Sequence, residues 1–315
     1  MLADIPTWIK LLTGFFAVYA VIAMLEARFR EPLTTFGSGR WMSIFEADWY
    51  GLFRRRGGFI AGEWIDGLWL RLPFIHSITF GKTGSGKGVS AIIHQAIEEC
   101  RLLIVDPGGE NTAICIKDWR ARGFVTWIIN PFRMHPSQPW ALPQHGFNPL
   151  ALLDPNSSTF EADARLLANM IFTRQAKEGA TAEHFLNAAV AMVTAMIMHI
   201  VTAAAPARRN LGTLFYYLNA DADTWAKLVA AMKANPAAGG VIRAEANTME
   251  RREHQSPEEH SGVISTAQVQ LSWLSDRNMR DLLSRNDVRF DDLRDLLAPG
   301  CVISVILPLE YQRSH

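Results

Sequence analysis

The stretch SITFGKTGSGKGVS at residues 77–90 restricts the fold more than any other part of the chain. An apolar, β-branched run over 75–80 reads as a strand. Val89, Ile92, Ile93, Ala96 and Ile97 then recur at helical spacing over 87–99. Between the two, Gly81, Gly86 and Lys87 occupy their places in the phosphate-loop pattern G-x-x-x-x-G-K-[ST]. The physical reason for that pattern is a nest of backbone N–H groups at a helix N-terminus, which glycines allow to wrap an anion closely. The expected nucleotide-contacting residues are therefore Gly81, Lys82, Thr83, Gly84, Ser85, Gly86, Lys87, Gly88 and Val89, with Lys87 reaching the terminal phosphates of ATP. The last position of the pattern, usually a hydroxyl that holds Mg2+, is Gly88. Thr83, Ser85 and Ser90 are nearby hydroxyls, and none is an obvious replacement.

Downstream, RLLIVDPGGEN gives an apolar strand near 102–105 that ends at Asp106 and a Pro-Gly-Gly turn. NTAICIKDWRARG reads as a helix stopped by Gly123, and FVTWIIN as a second buried strand. Alternating strands and helices imply βαβ units and a parallel sheet, so the fold class is α/β. Asp106, with Glu110 close behind, has the strand-terminal position of an acid that holds a metal's water or orients an attacking one. It equally has the position of a residue that caps the turn. Both readings stay open.

From about 158 to 295 the pattern changes to helices without a convincing strand, and GCVISVILP near 300–308 returns to strand character. A helical block thus interrupts one sheet. The domain reading is an anchor over 1–35, the first part of a nucleotide-binding domain over 36–157, an inserted all-α domain over 158–295, and an incomplete return strand over 296–315. The run MERREHQSPEEH at 249–260 reads as a solvated loop, and DLRDLL at 292–297 as a helix.

Two stretches have the length and apolarity of a membrane span. Residues 5–25 carry only Lys10 as a charge, and roughly 20 apolar residues cross the hydrocarbon core. Arg28, Arg30 and Arg40 follow, which places the remainder of the chain on the cytoplasmic side of an inner membrane, with one visible span. Residues 185–205 lack Asp, Glu, Lys and Arg, yet they are rich in alanine and hold Asn187, Thr194, His199 and Thr202. A buried core helix, with His199 hydrogen-bonded inside it, is the expectation there. The 31 basic and 31 acidic residues cancel, so any contact with nucleic acid must be local. Cys100, Cys115 and Cys301 are widely spaced and read as free thiols, and a zinc site would lack ligands.

Several segments in this order resemble the type IV secretion coupling proteins, the TraG-like conjugative DNA-transfer ATPases. They are GSGRWMS, FGKTGSGKGVS, LLIVDPGGEN, NPF at 130–132, FNPL at 147–150, ISTAQVQLSWL and VISVILPLEY. The resemblance covers nearly the whole chain after the expected anchor, and one branch of that family also follows its P-loop lysine with Gly-Val, as in Lys87-Gly88-Val89. It implies a RecA-like P-loop NTPase using ATP and Mg2+, assembled as a homo-hexamer at the inner membrane. It also implies that a relaxase–DNA complex or a secreted protein is passed to a type IV secretion channel. Family members usually have two N-terminal spans, and their Asp-Glu metal-and-water site lies beyond the VILPLEY strand, where this sequence stops at His315. On that resemblance the chain reads as a fragment or truncated product lacking the Walker B acid. ATP hydrolysis stays open, and the alternative is a membrane-tethered, nucleotide-binding adaptor that does not turn over.

Overall fold

The computed structural model describes residues 13–21, 24, 42–53, 58–65, 68–72, 78, 80, 82, 84–137, 141–173 and 179–311. The chain divides into two compact units, 1–76 and 77–315. In the first, residues 13–21 and 24 are helical. The rest of the expected anchor lies outside the described residues. Ser43 opens α1 (Ile44–Trp49) with a capping box, exchanging hydrogen bonds with Glu46 so that two orphan N–H groups of the helix start are satisfied. An antiparallel hairpin follows, β1 (Phe59–Ile65) and β2 (Leu68–Leu72), with two register irregularities.

The second unit holds a three-stranded parallel sheet in the order β3-β5-β4, built from β3 (Arg101–Val105), β4 (Val125–Ile129) and β5 (Cys301–Val305). The register is unbroken on both sides of β5, from Arg101 and Val125 opposite Cys301 to Val105 and Ile129 opposite Val305. Central β5 is buried almost throughout, which fits its run CVISV, where Ser304 is the one polar side chain. Before the sheet, a π-helical turn over Gly88–Ile92 continues into α2 (Ile93–Glu98). Between β3 and β4 runs α3 (Glu110–Ala121), whose Cys115, Ile116 and Trp119 pack with Ala96, Ile128, Val302 and Ile306 in one apolar cluster.

Between β4 and β5 the chain makes a long helical excursion. Its members are α4 (Phe160–Ile171), α5 (Ala180–Ala203), α6 (Leu211–Leu218), α7 (Ala222–Ala234), α8 (Val241–Gln255), α9 (Pro257–Gln270) and α10 (Arg277–Ser284). Helix α5 is the one helix among the described residues long and apolar enough to cross a membrane, and 78% of its apolar window is buried by its neighbours. It is the core helix expected of that alanine-rich sequence. His199 is buried on it, with Nδ1 3.1 Å from the Asn235 amide nitrogen.

At the two described positions of the strand expected over 75–80, Ile78 and Phe80, the chain is exposed and not in a strand, and the other four positions lie outside the described residues. Two further local expectations fail. The run 249–260 is helical rather than looped, because Pro257 ends one helix and occupies the first position of the next, where its missing N–H costs nothing. Only a 3-10 turn at Phe290–Leu293 forms where DLRDLL suggested a helix, and Leu296 and Leu297 are exposed. Pro299 follows too soon for a stable helix to propagate.

The segment 144–148 joins the helical excursion to β4. His145 pairs with Ile128 on the outer edge of β4: its N–H donates to the Ile128 carbonyl at 2.8 Å and its Nδ1 accepts from the Ile128 N–H at 2.9 Å. Gly146 passes so close to the other wall that a β-carbon on it would lie 2.2 Å from Cβ of Arg285.

Candidate phosphate loop and the acidic turn beside it

The glycine-rich loop turns on two left-handed glycines. Gly84 and Gly86 have φ of +77° and +81°, the left-handed conformation that glycine adopts without a Cβ penalty, and nothing would crowd a β-carbon at either. The pattern of glycines is therefore set by backbone direction, not by space. Lys87 takes up helical geometry, and the π turn from Gly88 follows it. The Lys87 Nζ folds back over the loop, donating to the Lys82 carbonyl at 2.9 Å and to Ser85 Oγ at 3.4 Å. Ser90 closes the first turn, its N–H and its hydroxyl both donating to the Gly86 carbonyl at 2.9 Å. Lys82, Gly84, Ser85, Gly86 and Val89 are exposed, and Lys87 and Gly88 half-buried. Gly81 and Thr83 lie outside the described residues.

Asp106 is 5% exposed at the end of β3. Its Oδ2 accepts from the N–H and the hydroxyl of Thr112 at 2.8 and 2.9 Å, and its Oδ1 accepts from the Asn111 amide at 3.2 Å. The Thr112 hydroxyl, already donating to Asp106, lies 2.7 Å from the Oγ of fully buried Ser304 on β5. One carboxylate thus ties the edge strand to the start of α3, where the helix dipole favours its charge, and through Thr112 to the central strand. Glu110, the other acid of this turn, is exposed in the first turn of α3 and makes no hydrogen bond or ion pair among the described residues. The two candidate acids are neighbours in sequence with opposite surroundings.

The residues that organise this turn were not singled out from the sequence. Asn111 and Thr112 supply the donors, and their position at a helix start after an Asp-led turn was the available signal. His135 was also passed over; its Nε2 donates to the Gly108 carbonyl at 2.9 Å. Both His135 and Arg133 hold positive φ, and Asn130 braces that loop through its hydrogen bonds to the Met134 N–H and carbonyl.

Helices α2 and α3 bring the loop and the turn together. The fully buried Trp119 donates its indole N–H to the Ala96 carbonyl, and Arg122 donates to the Ile97 carbonyl. At the other end of α3, Asn111 Oδ1 stands 3.2 Å from the point a β-carbon on Gly88 would occupy. Buried Cys115, behind the turn, has its thiol pushed up to about 11, first by burial and then by Asp118 and Asp106. It is an inert core thiol.

No curated protein sequence matches the chain. Among solved structures, it is similar to a bacterial conjugative coupling protein, TrwBdeltaN70, in an unbound monoclinic form, at 12% identity and a TM-score of 0.38. The likeness covers 84% of this chain and 54% of that one, so this chain spans about half the length of that protein. Residues 41–314, from before the glycine loop to beyond the last strand, match the family described as Type IV secretory system Conjugative DNA transfer, and the chain belongs to that family.

Proposed function

We propose that this chain is a nucleotide-binding coupling subunit of a conjugative DNA-transfer system. In this reading the loop at 81–89 holds the phosphates of ATP, and the fold is a P-loop NTPase domain with the helical excursion inserted in it. The observation that carries the reading is the loop itself. Two left-handed glycines, Gly84 and Gly86, turn the backbone immediately before a helix that starts at Lys87, whose ammonium already lies over the loop on the Lys82 carbonyl. A helix start and a cation meet there, and phosphate suits both.

Mg2+ accompanies a triphosphate in such sites and neutralises its charge. The loop is exposed, and no atom lies within 4 Å of a β-carbon built on Gly84 or Gly86. Asp106 is committed to Thr112 and Asn111, so its role is to hold the turn. Glu110 is the acid free to meet solvent or ligand beside it. Cargo, a relaxase–DNA complex or a secreted protein, is assigned to the helical block. There a cleft of about 640 Å³ includes Arg208, Tyr216, Arg277 and Arg280 in its lining. Cations beside an exposed aromatic ring suit nucleic acid or acidic peptide. Attachment to the inner membrane through the first 35 residues, a hexameric assembly and delivery to a type IV secretion channel complete the reading.

A mating assay tests it. A strain whose own copy is replaced by Lys87→Ala should express the protein at the normal level and transfer DNA at background frequency. Transfer at the wild-type frequency would remove the nucleotide from the account.

A further inference from the structure

The phosphate-loop pattern places a hydroxyl where this chain has Gly88, and the structure puts another oxygen in that space. Asn111, at the start of α3, directs Oδ1 to within 3.2 Å of the position of a β-carbon on Gly88. The assignment of the amide's two ends is fixed by chemistry. Nδ2 donates to Asp106 Oδ1 at 3.2 Å, and an ionised carboxylate only accepts, so the oxygen is the end that faces the loop. That oxygen accepts no hydrogen bond among the described residues, so it stands available beside the glycine loop.

We infer that the Asn111 carboxamide oxygen replaces the missing P-loop hydroxyl as the protein's oxygen ligand to the Mg2+ that accompanies the nucleotide. The inference rests on the reading of residues 81–89 as a nucleotide site. A neutral carboxamide oxygen is a hard donor of the kind Mg2+ takes. Its orientation is enforced from behind, where Asp106 accepts from the same amide and polarises it, as outer-shell carboxylates do for metal ligands. Asp106 is itself locked by Thr112, and α3 is fixed to α2 by Trp119 on Ala96, so the groups behind the oxygen are held in place. The same geometry explains Gly88: a side chain there would press on Asn111. A serine there would crowd the amide oxygen, and the glycine leaves it room.

The test is calorimetric titration of the full chain with ADP, once with Mg2+ and once with EDTA, on wild type, Asn111→Ala and Asn111→Ala/Gly88→Ser. Binding in EDTA reports the loop, and the ratio of the two affinities reports the metal ligand. Wild type is expected to bind more tightly with Mg2+. Asn111→Ala should lose about 10-fold of that advantage, within the range seen when a metal site's support is removed, with its EDTA affinity held. The double variant has room for a serine hydroxyl and should recover the advantage, which a merely structural role for Asn111 would not produce. An Asn111→Ala variant with the wild-type Mg2+ advantage overturns the assignment. So does one that weakens equally in Mg2+ and EDTA and is not rescued by Gly88→Ser. Wild type that binds no ADP in either buffer overturns instead the nucleotide reading on which it rests.

Discussion

The indole N–H of Trp119 donates to the Ala96 carbonyl at 2.8 Å, and this buried bond fixes the helix that follows the glycine loop to the helix that follows Asp106. Ala96 lies on α2, downstream of Lys87, and Trp119 lies near the end of α3, downstream of Asn111. The bond therefore ties the helix after the glycine loop to the helix after the acidic turn. Trp119→Phe keeps most of the packing and orphans the Ala96 carbonyl. It should cost about 1–2 kcal/mol in urea unfolding. Trp119→Ala also opens a cavity and should cost about 3–5 kcal/mol. Equal unfolding midpoints for Trp119→Phe and wild type would show that the bond contributes nothing.

Thr112→Val is nearly isosteric, yet it removes a hydroxyl that donates to the Asp106 carboxylate and meets Ser304 Oγ. The loss should be about 2–3 kcal/mol, because one bond is to a charged group and the buried Ser304 hydroxyl is left without its partner. Ser304→Ala removes that orphan while sparing the Thr112–Asp106 bond, and should cost less. Chemical unfolding of both variants checks the order.

Stability should fall on mild acidification. Burial lowers His145, His199 and His260 below their ordinary 6.5, and in each it is the largest cause. Since the unfolded chain then binds protons more readily than the folded one, their stabilising effect is full above 6.5. It is lost as pH falls through 6.5 toward the folded values. His145 has a direct structural stake, because protonating Nδ1 removes the acceptor of the Ile128 N–H at the edge of β4. The urea midpoint should therefore be lower at about pH 5.5 than at about pH 7.5, and His145→Gln should flatten that dependence. A midpoint that rises on acidification would contradict the account.

Gly146→Ala should be poorly tolerated. Its β-carbon would fall 2.2 Å from Cβ of Arg285 and 2.9 Å from the carbonyl oxygens of Arg285 and Leu282, and backbone atoms cannot yield as a flexible side chain can. A cost of about 1–3 kcal/mol is expected. Faster hydrogen exchange should appear at the amides of Asp287 and Val288, which both donate to the Gly146 carbonyl.

What the sequence made legible follows physical range. The largely apolar, β-branched runs LLIV, VTWII and CVISV marked the three strands, although only β5 is buried along most of its length and Leu103 and Val105 of β3 are exposed. The helix at 241–255 was missed because only Ile242, Ala246 and Met249 are buried along it, too narrow a stripe to stand out among its charges. Gly81, Gly86 and Lys87 announced the loop through local backbone chemistry. The approach of Asn111 to Gly88 was beyond reach, since it depends on how two helices pack and leaves no periodic trace. Asp106 was legible as important but not in its role, because a capping acid and a metal-site acid occupy the same strand end.

The most direct measurement is the equilibrium affinity of the full chain for ATP without divalent metal, compared with that of Lys87→Ala. The account predicts saturable one-site binding tighter than about millimolar. Loss of the lysine's charge-assisted contact should weaken it by about 10-fold or more. No binding by the wild-type chain, or equal binding by the variant, would contradict it.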